Sequence, residues 1–302
     1  MSESEATPTR CQLCGGELRE AFTTTDRNRA LSRLRFTYRC CERCGTYALR
    51  DVPVDLGAYY PPEYYAHEQR DALERAASAP PEQAKLEMIR SHVGDGRLIE
   101  IGPGGGEFSL AASNAGFQVT AVEMDELACE RIERLLGVRA IRSAEPETVL
   151  ASLPASDVIA MWHALEHLPQ PALTIERIAQ HLRPGGVLAL AVPNPQSLQF
   201  RLLRGRWAHV DAPRHLFLIP LHALAEFASG HGLDLVSWTT SDPAGRYWNW
   251  FGWEYALRRF PAVRPPGRLT MTLARLLALA LSPLERRALA GSTYTAVFVK
   301  RS

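Results

Sequence analysis

LIEIGPGGGEF, residues 98–108, carries the strongest local signal in this sequence, because an apolar strand ends there at Glu100 and Ile101 and a glycine-rich turn leads into a predicted helix. The glycines of the turn are Gly102, Gly104 and Gly106. Glycines let backbone N–H groups approach a ligand, and the N-terminus of the next helix favours a carboxylate or a phosphate. Glu123, 21 residues after Gly102, ends the next predicted strand, from which a carboxylate can bind two ribose hydroxyls. The segment therefore predicts a nucleotide-cofactor site.

Two classes of nucleotide cofactor fit this geometry, and the glycine spacing distinguishes them. The dinucleotide fingerprint requires a third glycine three residues after Gly104, and that position is Glu107. A glutamate at the start of the helix would repel a pyrophosphate, whereas a cofactor with an amino acid tail would tolerate it. Glu100, just before the turn, could reach an ammonium group. The G-x-G-x-G spacing therefore favours a nucleoside that carries an amino acid.

Strand and helix patterns alternate along the chain around this turn. The predicted strands are 97–102, 117–123, 138–142, 156–162, 186–192, 233–240 and 293–300. The predicted helices run from the glycine turn to about 115, and over 126–136, 171–182 and 221–230. The strands are continuously apolar and the loops are short, as in buried parallel sheets with right-handed crossovers. The predicted fold class is α/β, with an open, doubly wound sheet.

Composition limits the classes of protein to which the chain can belong. Its 302 residues are 46% hydrophobic and 22% charged, which excludes a collagenous or disordered chain. Over residues 246–302 ten basic residues stand against two acidic ones, a bias typical of segments that meet an anionic partner. The first ten residues lack an apolar signal region, and no apolar run is long enough to span a bilayer. We expect a cytoplasmic protein with reduced cysteines.

The cysteines form two C-x-x-C-G pairs, Cys11–Gly15 and Cys41–Gly45. Among reduced cysteines such pairs indicate metal binding, and each glycine permits the tight turn that directs two sulfurs at one ion. We predict a structural zinc ion held by Cys11, Cys14, Cys41 and Cys44. Four cysteines leave no open coordination position for a reaction. Cys40 is either a competing ligand or a bystander, and reduced cysteines without metal are the alternative.

Three parts follow from these patterns. Residues 1–50 form the zinc-ribbon module, which we expect to be rich in loops. Residues 51–94 hold a Tyr/Pro stretch and linking helices. Residues 95–302 form the α/β domain, with insertions at about 193–220 and 242–292.

Taken in order, the motifs over residues 95–240 resemble those of the class I S-adenosylmethionine-dependent methyltransferases. They are LIEIGPGGGEF, AVEMD (121–125), RSAEP (142–146), DVIAMWHALEHL (157–168), LRPGG (182–186) and AVPNP (191–195). The resemblance implies a Rossmann-like sheet of seven strands, six parallel and the last, TYTAVFVK, antiparallel. It also implies S-adenosylmethionine as cofactor, beside the small N-terminal zinc ribbon and a helical insertion before the last strand.

The same resemblance implies cofactor contacts at particular residues. Glu100 would contact the amino group of the methionine moiety, and Glu123 would hold the ribose. The other residues implied to contact the cofactor are Gly102, Gly104, Gly106, Met124, Ser143, Ala144, Trp162 and His163. Ser143 and Ala144 would lie near the adenine, and Trp162 with His163 beneath the methionine arm. The tyrosines expected to cover the cofactor are Tyr59, Tyr64 and Tyr65.

Methyl transfer needs a general base only when the acceptor must lose a proton. The candidate catalytic residues are His215, His167, Asp211 and Arg214. His215 belongs to HVDAPRHLF (209–217), in the loop beyond the fifth strand, where ligands of open sheets bind. For Asp211 and Arg214 the alternative is an ion pair that only holds this loop. For His167 the alternative is a structural role in packing.

The aromatic run RYWNWFGWEY (246–255) and the apolar stretch 269–284 have three interpretations. They could cover the acceptor pocket, fill a small core, or contact an anionic bilayer through residues 246–290. An inserted covering helix is the interpretation we favour, and peripheral membrane contact stays open.

Several functions remain in competition. We expect methyl transfer to the oxygen of a small-molecule acceptor, such as a sugar, a glycan, a lipid-linked compound or a natural product. The first alternative is an RNA methyltransferase whose zinc module binds RNA through the arginines between the cysteine pairs. The second is a non-catalytic scaffold stabilised by zinc.

Overall fold

The computed structural model describes residues 5–6, 9–60, 70–258 and 267–302. Tyr64 and Tyr65, two of the tyrosines expected to cover the cofactor, lie outside the described residues. The chain forms two compact units, each assembled from separate segments. The first unit comprises Met1–Pro61, Val192–Leu224 and Thr239–Tyr294, and the second comprises Pro62–Ala191, Ala225–Trp238 and Thr295–Ser302.

The elements are numbered in chain order. The strands are β1 (Glu5–Ala6), β2 (Leu18–Thr25), β3 (Arg35–Cys41), β4 (Tyr47–Leu49), β5 (Asp51–Val52), β6 (Gly96–Ile101), β7 (Phe117–Glu123), β8 (Arg139–Arg142), β9 (Ser156–Trp162), β10 (Leu182–Pro193), β11 (Phe217–Leu218), β12 (Leu233–Thr239) and β13 (Thr293–Lys300). The helices are α1 (Arg70–Ala77), α2 (Pro80–Arg90), α3 (Glu107–Asn114), α4 (Glu126–Leu136), α5 (Pro146–Ser152), α6 (Pro171–His181), α7 (Leu198–Leu203), α8 (Leu221–Gly230), α9 (Pro243–Leu257) and α10 (Arg268–Glu285).

The second unit is built on a seven-stranded sheet with the order β12-β13-β10-β9-β6-β7-β8. Strands β10, β9, β6, β7 and β8 are parallel to one another, and β13, the last strand in the chain, is antiparallel as predicted. Strand β6 lies at the centre, hydrogen-bonded to β9 on one side and to β7 on the other. Central parallel strands are buried on both faces, which explains the nearly continuous apolar runs of β6 and β9.

Helices α2 and α3 contribute to the core on one face of this sheet. Ile89 of α2 and Phe108 of α3 pack with Leu98 of β6 and Trp162 of β9, and none of the four is more than 8% exposed. Side chains alternate along a strand, so Glu100 lies on the same face as Leu98. The core therefore encloses a carboxyl group next to the glycine turn.

The predicted and observed limits agree for β7, β9, β13, α4 and α8. Strand β10 is longer than predicted, because LRPGG belongs to it and its pairing with β9 shifts between Leu182 and Val187. Helix α5, only seven residues long, has no counterpart among the predicted elements.

The first unit contains a four-stranded sheet with the order β11-β4-β3-β2 and a two-stranded pair of β1 and β5. The module predicted to be rich in loops is instead dominated by a long antiparallel hairpin of β2 and β3. Phe22 stacks on Tyr38 with ring centroids 5.1 Å apart, and Phe200 of α7 lies 5.9 Å from Phe22. Strand β11 pairs with β4, so the insertion at 193–220 shares a core with the cysteine module.

The insertion at 242–292 folds into α9 and α10, which pack against each other. Glu285 of α10 is buried and accepts hydrogen bonds from Trp253 of α9 at 2.8 Å and from Gln199 of α7 at 2.9 Å. These bonds fix three helices of the first unit around one carboxylate. Within the described ranges no helix is long and apolar enough to cross a bilayer.

Candidate cofactor site and cysteine cluster

The turn between β6 and α3 holds three glycines in the left-handed conformation. Their φ angles are +70° at Gly102, +53° at Gly104 and +85° at Gly106. A Cβ added to Gly102 would lie 2.8 Å from the Cβ of Ala164, whereas a Cβ added to Gly104 would meet no described atom within 4 Å. The backbone at Gly104 therefore borders open space, as a closely approaching ligand requires.

Glu123 lies beside this glycine. Its Oε2 accepts a hydrogen bond from the Gly104 N–H at 3.3 Å, and its Oε1 accepts from Met124 at 2.7 Å and Asp125 at 3.1 Å. The residue is 4% exposed, and burial raises the pKa of its carboxyl group. The glycine turn and the carboxylate predicted to bind ribose are thus in direct contact across two neighbouring strands.

Glu100 is also buried, at 2% exposure. Burial raises the pKa of its carboxyl group to about 8, although the hydrogen bond from Ser109 and the charge of Lys85 act in the opposite direction. Ser109 Oγ donates to Glu100 Oε2 at 2.5 Å. At neutral pH this carboxyl group is mostly protonated, so a cationic ligand would find a group ready to release a proton.

Trp162 ends β9 near the same strand ends. Its indole packs edge-to-face on Phe108 with centroids 5.0 Å apart, and Lys85 Nζ lies 5.0 Å from the indole centroid. The Nε1 donor is buried and has no acceptor among the residues that the structure describes. Buried donors are nearly always satisfied, so this atom fits a site that a polar ligand completes.

His163 follows β9 with a φ of +57°, a conformation that is rare outside glycine and is concentrated at functional sites. Its N–H donates to the Ala191 carbonyl at 2.8 Å, and its Nδ1 lies 3.4 Å from Oε1 of the buried Glu166. His167 ends the short 3-10 helix Leu165–His167 and is half-buried. A catalytic role for His167 stays a prediction.

The residues predicted near adenine lie on the other side of Glu123. The Ser143 N–H donates to the Glu123 carbonyl at 2.8 Å, which ties the end of β8 to the end of β7. The Ser143 hydroxyl accepts from the Glu145 N–H at 3.0 Å, so its own turn already engages it. Ala144 is exposed, and Met124 is 43% exposed, which leaves an apolar surface beside the carboxylate.

Two supporting residues were missing from the sequence prediction. Arg131 of α4 is 2% exposed and donates from Nη2 to the Gly105 carbonyl at 2.8 Å, which braces the glycine turn. Ser109 of α3 holds Glu100. One sequence feature could have identified Arg131. It lies three residues after Ala128, on the buried face of a helix, where a charged residue needs a partner.

In the first unit, Arg214 is the centre of a buried ion-pair network. Its guanidinium donates to Asp211 at 3.0 and 2.6 Å, and to Asp26 at 2.7 Å. A further bond reaches the Tyr59 carbonyl at 3.2 Å. The Asp211–Arg214 ion pair weighed from the sequence is therefore present, with Asp26 as an additional partner. Catalytic roles for Asp211 and Arg214 stay predictions.

His215 is 7% exposed, and its Nδ1 lies 2.8 Å from the His209 carbonyl oxygen. A carbonyl only accepts, so Nδ1 carries the proton and the lone pair of the neutral ring is on Nε2. The Tyr38 hydroxyl donates to the His215 carbonyl at 2.6 Å. The ring and backbone of His215 are thus both held by hydrogen bonds, in the tautomer that a general base needs.

The four predicted cysteines form one cluster in the first unit. Their sulfur atoms all lie within 4.8 Å of one another. The Sγ atoms of Cys11 and Cys44 are 3.6 Å apart, and those of Cys14 and Cys41 are 3.4 Å apart. Tetrahedral zinc with bonds of about 2.3 Å would separate its sulfurs by about 3.8 Å, so the donor set fits that ion.

Both cysteine pairs have the same backbone turn. Gly15 and Gly45 each have a φ of +72°, and their N–H groups donate to the Cys11 carbonyl at 2.8 Å and the Cys41 carbonyl at 2.9 Å. The Cys40 sulfur is outside the cluster and contacts the Cys41 carbonyl at 3.7 Å. Of the two interpretations of Cys40, the bystander agrees with this placement.

A family model described as a methyltransferase domain matches residues 63–238. The chain belongs to this methyltransferase family. The matched segment covers more than half of the chain and contains both the glycine turn and Glu123.

Curated relatives of this methyltransferase domain carry the name ubiquinone biosynthesis O-methyltransferase. The protein of Saccharophagus degradans is 27% identical over 158 residues, which are 48% of this chain and 66% of that protein. The protein of Xylella fastidiosa is 35% identical over 113 residues, which are 35% of this chain and 45% of that protein. The aligned part thus spans between about half and about two thirds of these relatives.

Among solved structures, a protein from Galdieria sulphuraria named as a candidate sarcosine dimethylglycine methyltransferase aligns with a TM-score of 0.50. The alignment covers 78% of this chain and 88% of that one, at 16% identity. At this identity the likeness concerns the fold alone.

Proposed function

We propose that this methyltransferase domain binds S-adenosylmethionine at the turn between β6 and α3 and transfers its methyl group to a small molecule. The observation that carries the proposal is the 3.3 Å contact between Glu123 and the Gly104 N–H. It places a fixed hydrogen-bond acceptor next to a backbone that borders open space. Ribose hydroxyls and a closely packed nucleoside require that combination.

S-adenosylmethionine would supply a methyl group already activated on a sulfonium, so the contribution of the protein is mainly positioning. Glu123 would accept hydrogen bonds from the ribose hydroxyls. Glu100 would meet the ammonium group, and Met124 would cover the adenine. Trp162 and Phe108 would give the methionine arm an apolar wall.

An oxygen acceptor on a small molecule is the acceptor class we propose. The support is the name of the relatives, O-methyltransferases at 27 to 35% identity over the aligned segments. A hydroxyl is a weak nucleophile and needs a base as the bond to carbon forms. His215 is the base we propose, and His167 is the second candidate.

The hydrogen bond at Nδ1 prepares His215 for this role. Nε2 would take the proton of the hydroxyl while Nδ1–H continues to donate to the His209 carbonyl. The imidazolium that forms would keep this acceptor, which stabilises its charge. Asp211 and Arg214 would hold the loop that carries His215.

We propose zinc as the occupant of the four-cysteine cluster, with a structural role. The hydrogen bond between Cys11 and Cys44 lowers the pKa of the Cys44 thiol and raises that of the Cys11 thiol, so the metal-free cluster favours a single thiolate, at Cys44. Zinc binding would supply folding energy to the hairpin of β2 and β3 in addition to that of its aromatic core.

A methyl-transfer assay tests the proposed function. The full chain is incubated with S-adenosylmethionine labelled on the methyl group and a panel of hydroxylated small molecules, with RNA in a parallel reaction. We expect label in the small-molecule fraction with the wild-type chain, and loss of label with Glu123→Ala. Glu126→Ala is the matched control, because Glu126 is exposed and pairs only at the surface with Arg142 at 2.9 Å.

Two results would contradict the proposal. Label in the RNA fraction alone would replace the small-molecule acceptor with RNA. Failure to bind either S-adenosylmethionine or its demethylated product would favour the non-catalytic scaffold.

A further inference from the structure

The outward face of α10 is apolar. Its exposed large side chains are Leu269 (74%), Leu273 (48%), Leu276 (59%), Leu279 (71%) and Leu284 (41%). At about 100° per residue these leucines fall within an arc of about 140° on the helix. A surface helix normally presents polar residues to water, so an arc of five exposed leucines, interrupted by the exposed Thr272, indicates a partner.

The opposite face of α10 is the one that packs inward. Ala274 and Glu285 are buried there, and Leu281 is partly buried. The exposed leucines therefore lie outside the buried face of α10.

Arginines line one edge of the leucine arc. Arg268, Arg275 and Arg286 lie within about 20° of one another around the helix axis, next to Leu279. Arg275 and Arg286 also line a pocket of about 380 Å³ between α9 and α10, together with Arg246 and Trp250. We call Arg246, Arg275 and Arg286 the three pocket arginines. In the described part of the chain none of them has an ion-pair partner within 4.0 Å.

The acidic residues of these two helices all have hydrogen-bond or ion-pair partners of their own, and Glu285 lines the same pocket as Arg275 and Arg286. Asp242 caps α9 by accepting from the Gly245 N–H at 2.6 Å. Glu254 is buried and pairs with Arg258, and Glu285 is buried among its donors. The exposed surface of α9 and α10 is therefore apolar and positive, with no exposed glutamate or aspartate among its described residues to offset the arginines.

We propose that this surface, formed by the leucine arc of α10 and the three pocket arginines, docks on an anionic phospholipid bilayer. The leucines would enter the boundary between headgroups and acyl chains, and the guanidinium groups would bind lipid phosphates. Charge decides among the occupants, because a second copy of the chain would bring like-charged arginine rows close to each other. The proposal does not depend on the proposed methyl transfer.

Co-sedimentation with lipid vesicles tests this docking surface. The full chain is mixed with vesicles of phosphatidylcholine, either pure or with about one third phosphatidylglycerol. We expect binding to the anionic vesicles only, and weakening of that binding as salt is raised. Inorganic phosphate at the concentration of lipid phosphate should not compete, because it lacks the apolar contact.

Two variants, each with a matched control, separate the contributions. Leu276→Glu should abolish binding, whereas Leu202→Glu, at an equally exposed leucine (64%) outside these helices, should bind as wild type. Arg275→Ser with Arg286→Ser should weaken binding at least about tenfold, since each arginine near an anionic surface contributes several-fold. Arg90→Ser with Arg134→Ser removes the same charge from exposed positions of the second unit and should have little effect.

Three outcomes would overturn the docking surface. The first is equal binding to neutral and anionic vesicles, or none to either. The second is wild-type binding by Leu276→Glu or by the Arg275/Arg286 pair. The third is a wild-type dimer in solution that Leu276→Glu converts to a monomer without any vesicle binding, which would make the face an interface between copies.

Discussion

Gly104 donates its backbone N–H to Oε2 of Glu123 across 3.3 Å, so the turn after β6 and the end of β7 share a hydrogen bond. The Ser143 N–H adds the end of β8 by donating to the Glu123 carbonyl at 2.8 Å. Three strand ends thus converge on one buried residue, Glu123, at the edge of the sheet where ligands of open α/β folds bind.

Replacing Gly104 by alanine should cost cofactor binding more than stability. A Cβ at Gly104 would enter space that no described atom occupies, where we expect the nucleoside. We expect S-adenosylmethionine to bind at least about tenfold more weakly, with a loss of about 1–2 kcal/mol in unfolding free energy from the left-handed φ. Gly137→Ala is the matched control, since Gly137 also has a positive φ (+67°) and an open Cβ position. Equal cofactor affinity in the two variants would contradict the assignment.

Binding of a ligand with an ammonium group should release a proton from Glu100. With a pKa of about 8, the buried carboxyl group is mostly protonated at pH 7, and a nearby positive charge would lower that pKa. Calorimetry in two buffers of different ionisation enthalpy should show release of up to about one proton per site at pH 7. Glu100→Gln should remove the difference between the buffers. No buffer dependence in the wild-type chain would count against the Glu100 contact.

The same group should shape the pH dependence of stability. The pKa of Glu100 rises from its ordinary 4.5 to about 8 in the folded chain, so between these values the folded state holds a proton that the unfolded chain has lost. Stability from this group therefore falls as pH rises through that window and levels off above it. Denaturant unfolding from pH 5 to 9 should show a flatter profile for Glu100→Gln than for wild type. Parallel profiles would refute this.

Zinc removal should unfold the cysteine module. We expect one zinc per chain by elemental analysis, and a chelator should lower the melting temperature of the wild-type chain. Cys14→Ser should lose both the metal and that stability, whereas Cys40→Ser should keep them, because its sulfur lies outside the cluster. Equal metal content in the two variants would rule out the four-cysteine site.

Replacing Arg214 should lower the free energy of unfolding. Arg214→Met would leave the buried Asp26 and the adjacent Asp211 without their cation, and breaking a buried pair costs about 3–5 kcal/mol. Urea unfolding measures this loss, with the exposed Arg201→Met as control. Wild-type stability with loss of turnover would instead make Arg214 a catalytic residue.

Local signals were sufficient to predict much of the sheet. Helix α4 has its predicted limits because Asp125 caps it, accepting from the Ala128 N–H at 2.8 Å, and Gly137 ends it in the left-handed conformation. Buried apolar runs similarly fixed β7 and β9. The hairpin of β2 and β3 escaped prediction because its pattern is mixed and the cysteine pairs suggested turns.

Some features of the candidate site could likewise be predicted from the sequence, and others could not. The spacing of Gly104 and Glu123 was visible because parallel strands end at one edge of a sheet. The partnership of Asp26 with Arg214 links positions 188 residues apart, and no local pattern encodes such a contact. The protonation of Glu100 depends on burial by α2 and α3, which the sequence of β6 alone does not contain.

Calorimetric titration of the full chain with S-adenosylmethionine is the most direct test of the cofactor site. The account predicts saturable binding at one site per chain, with affinity lost in Glu123→Ala and kept in Glu126→Ala. Absence of binding by the folded wild-type chain, for both S-adenosylmethionine and its demethylated product, would contradict it.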